Sequence, residues 1–380
     1  MRINDAVNIT DLMMIAKRRL PRVMFDLLVG ASEDERALEM NLARLREYSL
    51  VARAMRGAAQ RDQSTTLFGK TYSTCFGIAP TGMIGILRRD IELMLATAAQ
   101  RANLPMTLSG VSAEPIESVV ARAPAHIWSQ LYAAKDPTVN ADLVKRAQDC
   151  GIEVLVWTID MGAPPKNDRL LRARMGMPPR LSLGSKLEAL THPTWIYEYL
   201  RGGMTRMGAW ERYVRPGAPS SEALAFFMSQ RFGALTWRGL ETLRQLWKGP
   251  LIVKGIMHPE DAVRVAELGG DGVIVSNHGG YGLDRAPASI DMLQAVVASA
   301  GHRLTVMFDG GVRRGSDIVV ARCLGAQFVF VGRATLFGVV AGGVPGALRA
   351  IDILKDEVDR TMGQIGCSNG DEFRAEFVRC

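Results

Sequence analysis

Five histidines occur in the 380 residues, and His278 stands where chemistry is easiest to arrange. It lies in the run GVIVSNHGG, where an apolar stretch from Val273 to Val275 stops at Ser276-Asn277-His278 and two glycines follow. An imidazole on the C-terminal lip of a strand, with no side chains crowding it from the next two residues, can face a pocket as a general base. The same residue can equally be a hydrogen-bonded structural group. What the rest of the chain gathers around it decides.

Seven further runs share the pattern of an apolar or β-branched body with a polar end. They are FGIAP (76–80), PMTLSG (105–110), HIWSQLY (126–132), EVLVWTID (153–160), PLIVKGI (250–256), TVMFDGG (305–311) and FVFVGRA (328–334). Most are followed by a stretch long enough for a helix, such as 137–150 and 259–268. Alternation of this kind predicts βα units and a parallel sheet, and eight units predict an α/β fold of the closed (β/α)8 TIM-barrel type. A doubly wound open sheet would usually show GxGxxG after its first strand, and none is found there.

In such a barrel the chemistry belongs at the C-terminal strand ends. Those ends carry Pro80 and Thr81, Ser109, Gln130 and Tyr132, Thr158 and Asp160, Lys254, Ser276 and His278, Asp309, then Gly332 and Arg333. A single strand-end Ser or Thr is usually a local turn bond. Polar groups at all eight ends, with apolar bodies behind them, imply one large polar ligand held across the mouth. The last two units, Asp309-Gly310-Gly311-Val312-Arg313-Arg314 and Val331-Gly332-Arg333, combine close backbone approach with arginines. Loops after the seventh and eighth strands form the recurrent phosphate site of these barrels, so a phosphorylated ligand or cofactor is expected.

The elements that must position these residues fall into two regions: an N-terminal helical segment over 1–75, and the barrel over 76–380 with a lid-like insertion at about 161–236 after the fourth strand. In the first region Leu12, Ile15, Ala16 and Leu20 recur at helical spacing, Pro21 opens a new segment, and 31–35 (ASEDE) resembles an acidic helix start. A short hairpin is expected around Phe68-Gly69-Lys70. An insertion after a strand's C-terminal end lies on the active-site face, as a lid or a docking surface. Within it PTWIYEYLRGGMTRMGAWERY carries five aromatics with basic neighbours, and reads either as a packed lid helix or as a membrane-surface segment.

Composition narrows the class. An apolar fraction of 48% with 22% charged residues suits a soluble globular core. A net charge of +7 and a pI near 9.3 suit acidic ligands, phosphate or anionic lipid. The basic residues are scattered and no nucleic-acid motif accompanies them, so nucleic acid is not an expected partner. Five widely spaced cysteines without a CxxC pair argue for reduced thiols rather than disulfides or zinc, and hence for a cytoplasmic setting. The first twenty residues lack a signal-peptide core, and no window approaches 18 uninterrupted apolar residues.

The strand-end residues also carry a family resemblance. SNHGG…LD.APASI (276–290), FDGGVRRGSD (308–317), VGRA (331–334), APTGM (79–83) and SQLY (129–132) resemble the FMN-dependent 2-hydroxy acid oxidases and dehydrogenases, from KRRLPRVMFD (17–26) to the C-terminal region. The resemblance implies FMN as cofactor. It implies that Pro80, Thr81, Gly82, Ser109, Gln130, Thr158 and Ser276 contact the isoalloxazine ring or ribityl chain, with Lys254 beside the flavin N1/O2 edge. It places Asp309, Gly311, Arg313, Gly332 and Arg333 at the ribityl and phosphate groups. It makes His278 the base, Asp160 its orienting carboxylate and Tyr132 a hydrogen-bond donor to the reacting oxygen. It further implies a homo-oligomer, tetramers being frequent in the family, and an electron acceptor that is oxygen, a quinone or a redox protein.

Three positions depart from that pattern. The arginine expected three residues after the histidine is Tyr281, the arginine expected seven residues after the fourth-strand aspartate is Asn167, and the tyrosine expected after FD is Leu27. The aromatic of the second-strand loop is also replaced, by Val111. Neither tyrosine nor asparagine reproduces a bidentate arginine–carboxylate pair. The expectation is a working flavoenzyme whose substrate is not lactate or glycolate but a bulkier alcohol or amine, or a biosynthetic intermediate. The alternatives are an ordinary hydroxy acid held by a rewired cation (Arg285, Lys166 or Arg169), or a flavin-binding protein without turnover.

Overall fold

The computed structural model describes residues 1–175, 182–202, 206–231, 233 and 235–380. Each of the eight apolar runs becomes a parallel strand: β1 (Phe76–Ile78), β2 (Met106–Leu108), β3 (Ile127–Tyr132), β4 (Leu155–Thr158), β5 (Leu251–Ile256), β6 (Gly272–Val275), β7 (Thr305–Asp309) and β8 (Phe328–Val331). They pair in sequence order and β8 closes on β1, so the chain is a (β/α)8 TIM barrel. The register aligns part of the rim. Tyr132 pairs with Thr158, and Thr158 with Lys254, so three polar side chains stand in one row at the C-terminal end.

Inside the barrel, Trp128, Val154, Val156, Ile252, Ile274, Met307, Phe328 and Phe330 form a packed core. The predicted hairpin, Thr65–Leu67 with Lys70–Tyr72, closes its N-terminal end. Leu67 and Tyr72 are buried against that core, and Trp128 Nε1 donates to the Tyr72 hydroxyl at 3.2 Å. The mouth at the other end is thereby left as the open one.

Before the barrel come α1 (Ile9–Arg19), α2 (Arg22–Val29) and α3 (Arg36–Glu47). The acidic stretch 31–35 is a turn rather than the helix start itself, with Glu33 and Glu35 at positive φ and the helix beginning at Arg36. Around the barrel run α4 (Ile91–Ala102), α5 (Ile116–Arg122), α6 (Pro137–Asp149), and, in the interval after β4, α7 (Asp168–Arg172), α8 (Leu183–Ala189), α9 (Pro193–Gly202) and α10 (Ser220–Gln230). Next come α11 (Trp237–Leu246), α12 (Pro259–Glu267), α13 (Ser289–Ala300), α14 (Gly315–Cys323) and α15 (Arg333–Ile365). Local chemistry sets their starts: Asp136 and His258 each accept a backbone N–H and precede a proline in the first turn of α6 and α12.

Helix α15 is long and apolar enough to cross a membrane, yet 67% of its apolar window is buried inside the fold. It kinks at Gly342-Gly343 and packs on α1 and α4, so burial in the core explains its composition. The five cysteines are free thiols.

The aromatic segment of the insertion divides its residues. Trp195 and Trp210 are buried, and their indoles donate to Ile86 O at 2.9 Å and Gly110 O at 2.8 Å. Tyr197, Leu200 and, on α8, Leu183 and Leu187 are exposed. Residues 176–181 and 203–205 of the insertion lie outside the described residues.

Candidate active site

His278 sits in a turn of left-handed residues. Its φ is 58°, and Gly279 and Gly280 continue in the left-handed region at 62° and 83°. A Cβ on Gly280 would lie 2.5 Å from Leu38 N, so the glycine also lets α3 press against the turn. The reverse face is fixed by two buried amides. Asn41 of α3 and Asn277 exchange hydrogen bonds of 2.8 and 2.9 Å, and Asn277 donates to Pro287 O as well. A strained histidine thus rests on a rigid base.

The ring is held at both nitrogens. Nδ1 lies 2.7 Å from Asp160 Oδ1, and Nε2 lies 3.4 Å from the Tyr132 hydroxyl and faces the cavity. Asp160 reaches this place because β5 bulges: its register shifts between Lys254 and Ile256, and Gly255 has φ 104°. A Cβ on Gly255 would lie 2.6 Å from Asp160 Cβ, so no other residue leaves room for the carboxylate. Burial opposes ionisation of Asp160, but the nearby His278 and Lys254 outweigh it and hold the carboxyl below its usual range. An ionised Asp160 keeps a proton on Nδ1 and leaves Nε2 to accept one. Burial, reinforced by the charge of Asp160, pushes the Tyr132 phenol well up, so it stays a neutral donor.

Lys254 is buried among oxygen atoms. Its Nζ is 2.7 Å from Ser276 Oγ, 3.1 Å from Asp309 Oδ2 and 3.9 Å from Asp160 Oδ2. Burial disfavours its charge, but Asp309 and Asp160 reverse that and raise its pKa. The ammonium therefore remains positive at the floor of the mouth.

The same cavity takes in two half-buried cations. Arg313 donates to Val312 O at 2.8 Å and stacks over Phe337; Arg333 donates to Gly279 O at 2.9 Å and Gly30 O at 2.7 Å. Burial drives Arg313 down to about 9, helped by the charge of Arg333, and burial alone takes Arg333 down to about 10. Two guanidinium groups half withdrawn from water and within electrostatic reach of each other repel, and a dianion such as phosphate would compensate both. Helix α15 opens beside them at Gly332 with no side chain capping it.

Further around the rim, Gln130 Oε1 accepts from Gly110 N at 2.9 Å and lies 3.3 Å from Ser109 Oγ. Gln130 Nε2 and Thr158 Oγ1 are buried without a partner among the described residues. Buried polar atoms of this kind at a pocket mouth fit a polar ligand that pairs with them. A cavity of about 580 Å³ joins these groups, within the range for small-molecule and cofactor sites. Pro80, Thr81, Gly82, Tyr132, Thr158, Lys254, His278, Asp309, Gly311, Arg313, Gly332 and Arg333 all line it. Asp160 and Ser276 stand immediately behind that wall through their bonds to His278 and Lys254, and Ser109 does so by accepting from Val111 N at 3.2 Å, with Gln130 bonded to Ser109 in turn.

Leu27, Val111, Asn167 and Tyr281 line the cavity as well, beside Leu28, Leu170, Met175 and Phe227. Asn167 caps α7, its Oδ1 accepting from Leu170 N at 3.1 Å. The cations offered as substitutes are elsewhere. Lys166 pairs with Asp168, Arg169 with Asp26 and Glu35, and neither these two nor Arg285 is among the described residues lining the cavity. Sequence reading missed four contributors: Asn41, Asn277, Gly255 and Arg231. Asn277 and Gly255 adjoin strand-end residues that were singled out, whereas Asn41 and Arg231 carry no local signal.

Comparison with known proteins gives a family for this geometry. The family model described as FMN-dependent dehydrogenase matches residues 16–380. The chain is 36% identical over 371 residues to an L-lactate dehydrogenase of Caulobacter sp. (strain K31), covering 96% of each protein. It is 36% identical over 373 residues to the (S)-mandelate dehydrogenase of Pseudomonas putida, covering 98% of this chain and 93% of that one. A crystal structure of the monotopic membrane protein (S)-mandelate dehydrogenase superposes with a TM-score of 0.94 at 34% identity over 99% of both chains. With the family model spanning residues 16–380 and these relatives covering nearly the whole chain, the chain belongs to the FMN-dependent dehydrogenase family and is an oxidoreductase with FMN as its cofactor.

Proposed function

We propose that this enzyme oxidises the CH–OH carbon of a hydroxy-acid-type substrate larger and more apolar than lactate or glycolate. Arg313, Arg333, Gly311, Gly332 and Asp309 would hold the phosphate and ribityl portion of FMN. Pro80, Thr81, Gly82, Ser109, Gln130, Thr158, Ser276 and Lys254 would hold the ring. When bound, FMN would supply the acceptor for the two electrons that leave the carbon and for the second hydrogen of the CH–OH group, the first leaving as the proton that His278 takes. The side chains manage protons and position. His278 Nε2 takes a proton from the substrate, Asp160 stabilises the imidazolium that results, and Tyr132 donates to the substrate oxygen. Lys254 offers fixed positive charge at the floor. Together these steps turn the alcohol into a carbonyl.

The observation that carries the substrate reading is the pairing of Asn167 and Tyr281 with leucine, methionine and phenylalanine in one cavity wall. A small hydroxy acid needs charge-assisted grips and little volume; this wall offers volume and apolar area. The test is anaerobic bleaching of the bound flavin over a panel of hydroxy acids, alcohols and amines. Bleaching by large apolar substrates, absent in His278→Ala, is expected. Fast turnover of lactate or glycolate, at rates usual for enzymes of this kind, would sink the substrate reading. Failure of every compound to bleach the flavin would favour a binding protein without turnover.

A peripheral membrane location fits better than a free cytoplasmic one. Leu183, Leu187 and Leu190 of and beside α8 are exposed, as are Tyr197 and Leu200 of α9, with Lys186 and Arg201 among them. Apolar and basic residues in this mixture suit a lipid interface, and a related structure is of a monotopic membrane protein. That location would favour a membrane-borne quinone or redox protein as the acceptor. Co-sedimentation with anionic vesicles, weakened by Leu183→Glu with Leu187→Glu, tests it; no sedimentation of the wild type would leave the cytoplasmic reading.

A further inference from the structure

The family pattern places arginines at 167 and 281, and this chain has asparagine and tyrosine there. Positive charge nevertheless enters the same wall from another direction. Arg231, at the end of α10, lines the cavity together with His278, Tyr132 and Tyr281. Its backbone N–H donates to Phe227 O at 3.0 Å and closes the helix. The preceding residue moors it: Gln230 O accepts from Lys135 N at 3.0 Å, and Gln230 Oε1 accepts from Asp136 N at 3.0 Å. Arg231 is thus tied to the loop that leaves β3 just after Tyr132.

Its surroundings are unusual for a surface arginine. The guanidinium stands over the Phe227 ring at 5.5 Å from the centroid and 3.4 Å from Met228 Sδ. Burial lowers its pKa, and the phenols of Tyr132 and Tyr281 act on it in the opposite direction. Burial raises both phenols, and the charge of Arg231 acts against that rise in each. The cation is therefore within electrostatic reach of the two hydroxyls that flank His278, whose ring lies 6.5 Å from that of Tyr281. A planar guanidinium held by an aromatic face keeps its N–H fork pre-organised for a carboxylate. Lysine or a surface arginine would lose that by motion.

We propose that Arg231 is the specificity-determining cation of this cavity, binding the carboxylate of a substrate with a sizeable apolar body from the insertion side, where the family pattern binds it from 167 and 281. The apolar body packs on Leu27, Val111, Leu170, Met175 and Phe227 while the anion meets the guanidinium. The proposal rests on the oxidation at His278 only for the identity of the reacting carbon; the binding claim stands apart.

Titration of the FMN-loaded enzyme with benzoate, phenylacetate and naphthoate, each beside its neutral amide, tests it through the shift in flavin absorbance. The wild type should bind each carboxylate more tightly than its amide. Arg231→Met and Arg231→Gln should weaken the carboxylates about tenfold to a hundredfold, as loss of a charge-assisted hydrogen bond predicts, and leave the amides unchanged. Arg231→Lys should fall between, because it keeps charge but lacks the fork. Flavin content and melting temperature identify a variant that has failed to fold, and the lysine variant then carries the comparison. A wild type without preference for any carboxylate over its amide overturns the proposal, as does an equal loss for both members of a pair. Substrate bleaching plays no part in the titration, so the oxidation can fail while Arg231 stands, and the reverse.

Discussion

The two halves of the cavity are built on opposite principles. On the floor, Lys254, Asp309, Asp160, Arg313 and Arg333 are buried or half-buried charges held by ion pairs and hydrogen bonds, and all five are residues that the sequence resemblance assigns to the cofactor or the base. On the insertion side, Leu27, Val111, Asn167 and Tyr281 depart from it, and the wall is mostly hydrocarbon. Buried charges are coupled, since removing one strands its partners. Apolar contacts are interchangeable at modest cost. The half proposed to hold the cofactor is therefore constrained as a unit, and the half proposed to face the substrate is where specificity can change without dismantling the chemistry.

The strongest way to break this contrast is at its boundary. His278→Ala should retain FMN and fold but slow flavin reduction by any substrate ~10²–10⁴-fold, the usual contribution of a general base. Stopped-flow absorbance measures it. Rates within a few-fold of the wild type would move the base elsewhere.

Within the cofactor half, Lys254→Met should be nearly as severe. It leaves Asp160 and Asp309 buried beside a hydrocarbon chain, and breaking a buried ion pair costs ~3–5 kcal/mol. Denaturant unfolding should show that loss at neutral pH. The loss should shrink in acid, where a stranded carboxylate can take up a proton. Arg313→Met should behave differently again. Arg313 and Arg333 oppose each other, so the FMN-free protein should gain or hold stability, whereas FMN affinity should drop by ~1.5–3 kcal/mol. Melting curves with and without FMN separate the two signs.

Legibility in the sequence followed the same division. All eight strands were readable because a strand buried on both faces needs a continuous apolar run, and its polar end marks the rim. The floor residues were readable for the same reason: Lys254, Asp309 and Arg333 lie at those ends. The bulge at Gly255 was not, because a glycine beside a lysine says nothing about the aspartate it must admit from another strand. Asn41 was hidden as one polar residue on an amphipathic helix, and its partner is 236 positions away. Arg231 was hidden by its neighbours. In sequence it is one of many basic residues in a long insertion, and only the docking of Gln230 on the loop after β3 brings it to the cavity.

Restoring the family cations should convert one half towards the other. Asn167→Arg with Tyr281→Arg should improve oxidation of a small hydroxy acid such as lactate by about tenfold, the worth of one good charge-assisted contact. Two arginines must share the wall with Arg333 and Arg231, so the gain should fall short of what two independent grips would give. Steady-state kinetics read it, mainly in KM. No gain at all would mean that the shape of the wall, more than its charge, excludes small acids.

The subtlest test concerns a strut between the halves. Glu92 of α4 is almost fully buried, and its Oε1 accepts from Ala113 N at 2.9 Å, bracing the loop that carries Ser109 on one side and Val111 on the other. Its second oxygen has no partner among the described residues. Burial raises its pKa from 4.5 to about 7, and Glu114 and Asp90 add to the effect. A raised carboxyl favours folding while it is protonated. That contribution is complete below pH 4.5 and is lost as pH rises through about 7, because the unfolded chain ionises first. Glu92→Gln keeps an acceptor for Ala113 N and cannot ionise. The stability difference between variant and wild type should therefore move in the variant's favour by ~1–3 kcal/mol between acid and alkaline pH. On a chain of this size that is a relative melting shift of about 2–4 °C. A difference that stays flat with pH would mean that folding leaves the Glu92 carboxyl's pKa unchanged, so that at neutral pH the loop is braced by a carboxylate rather than by a neutral hydrogen bond.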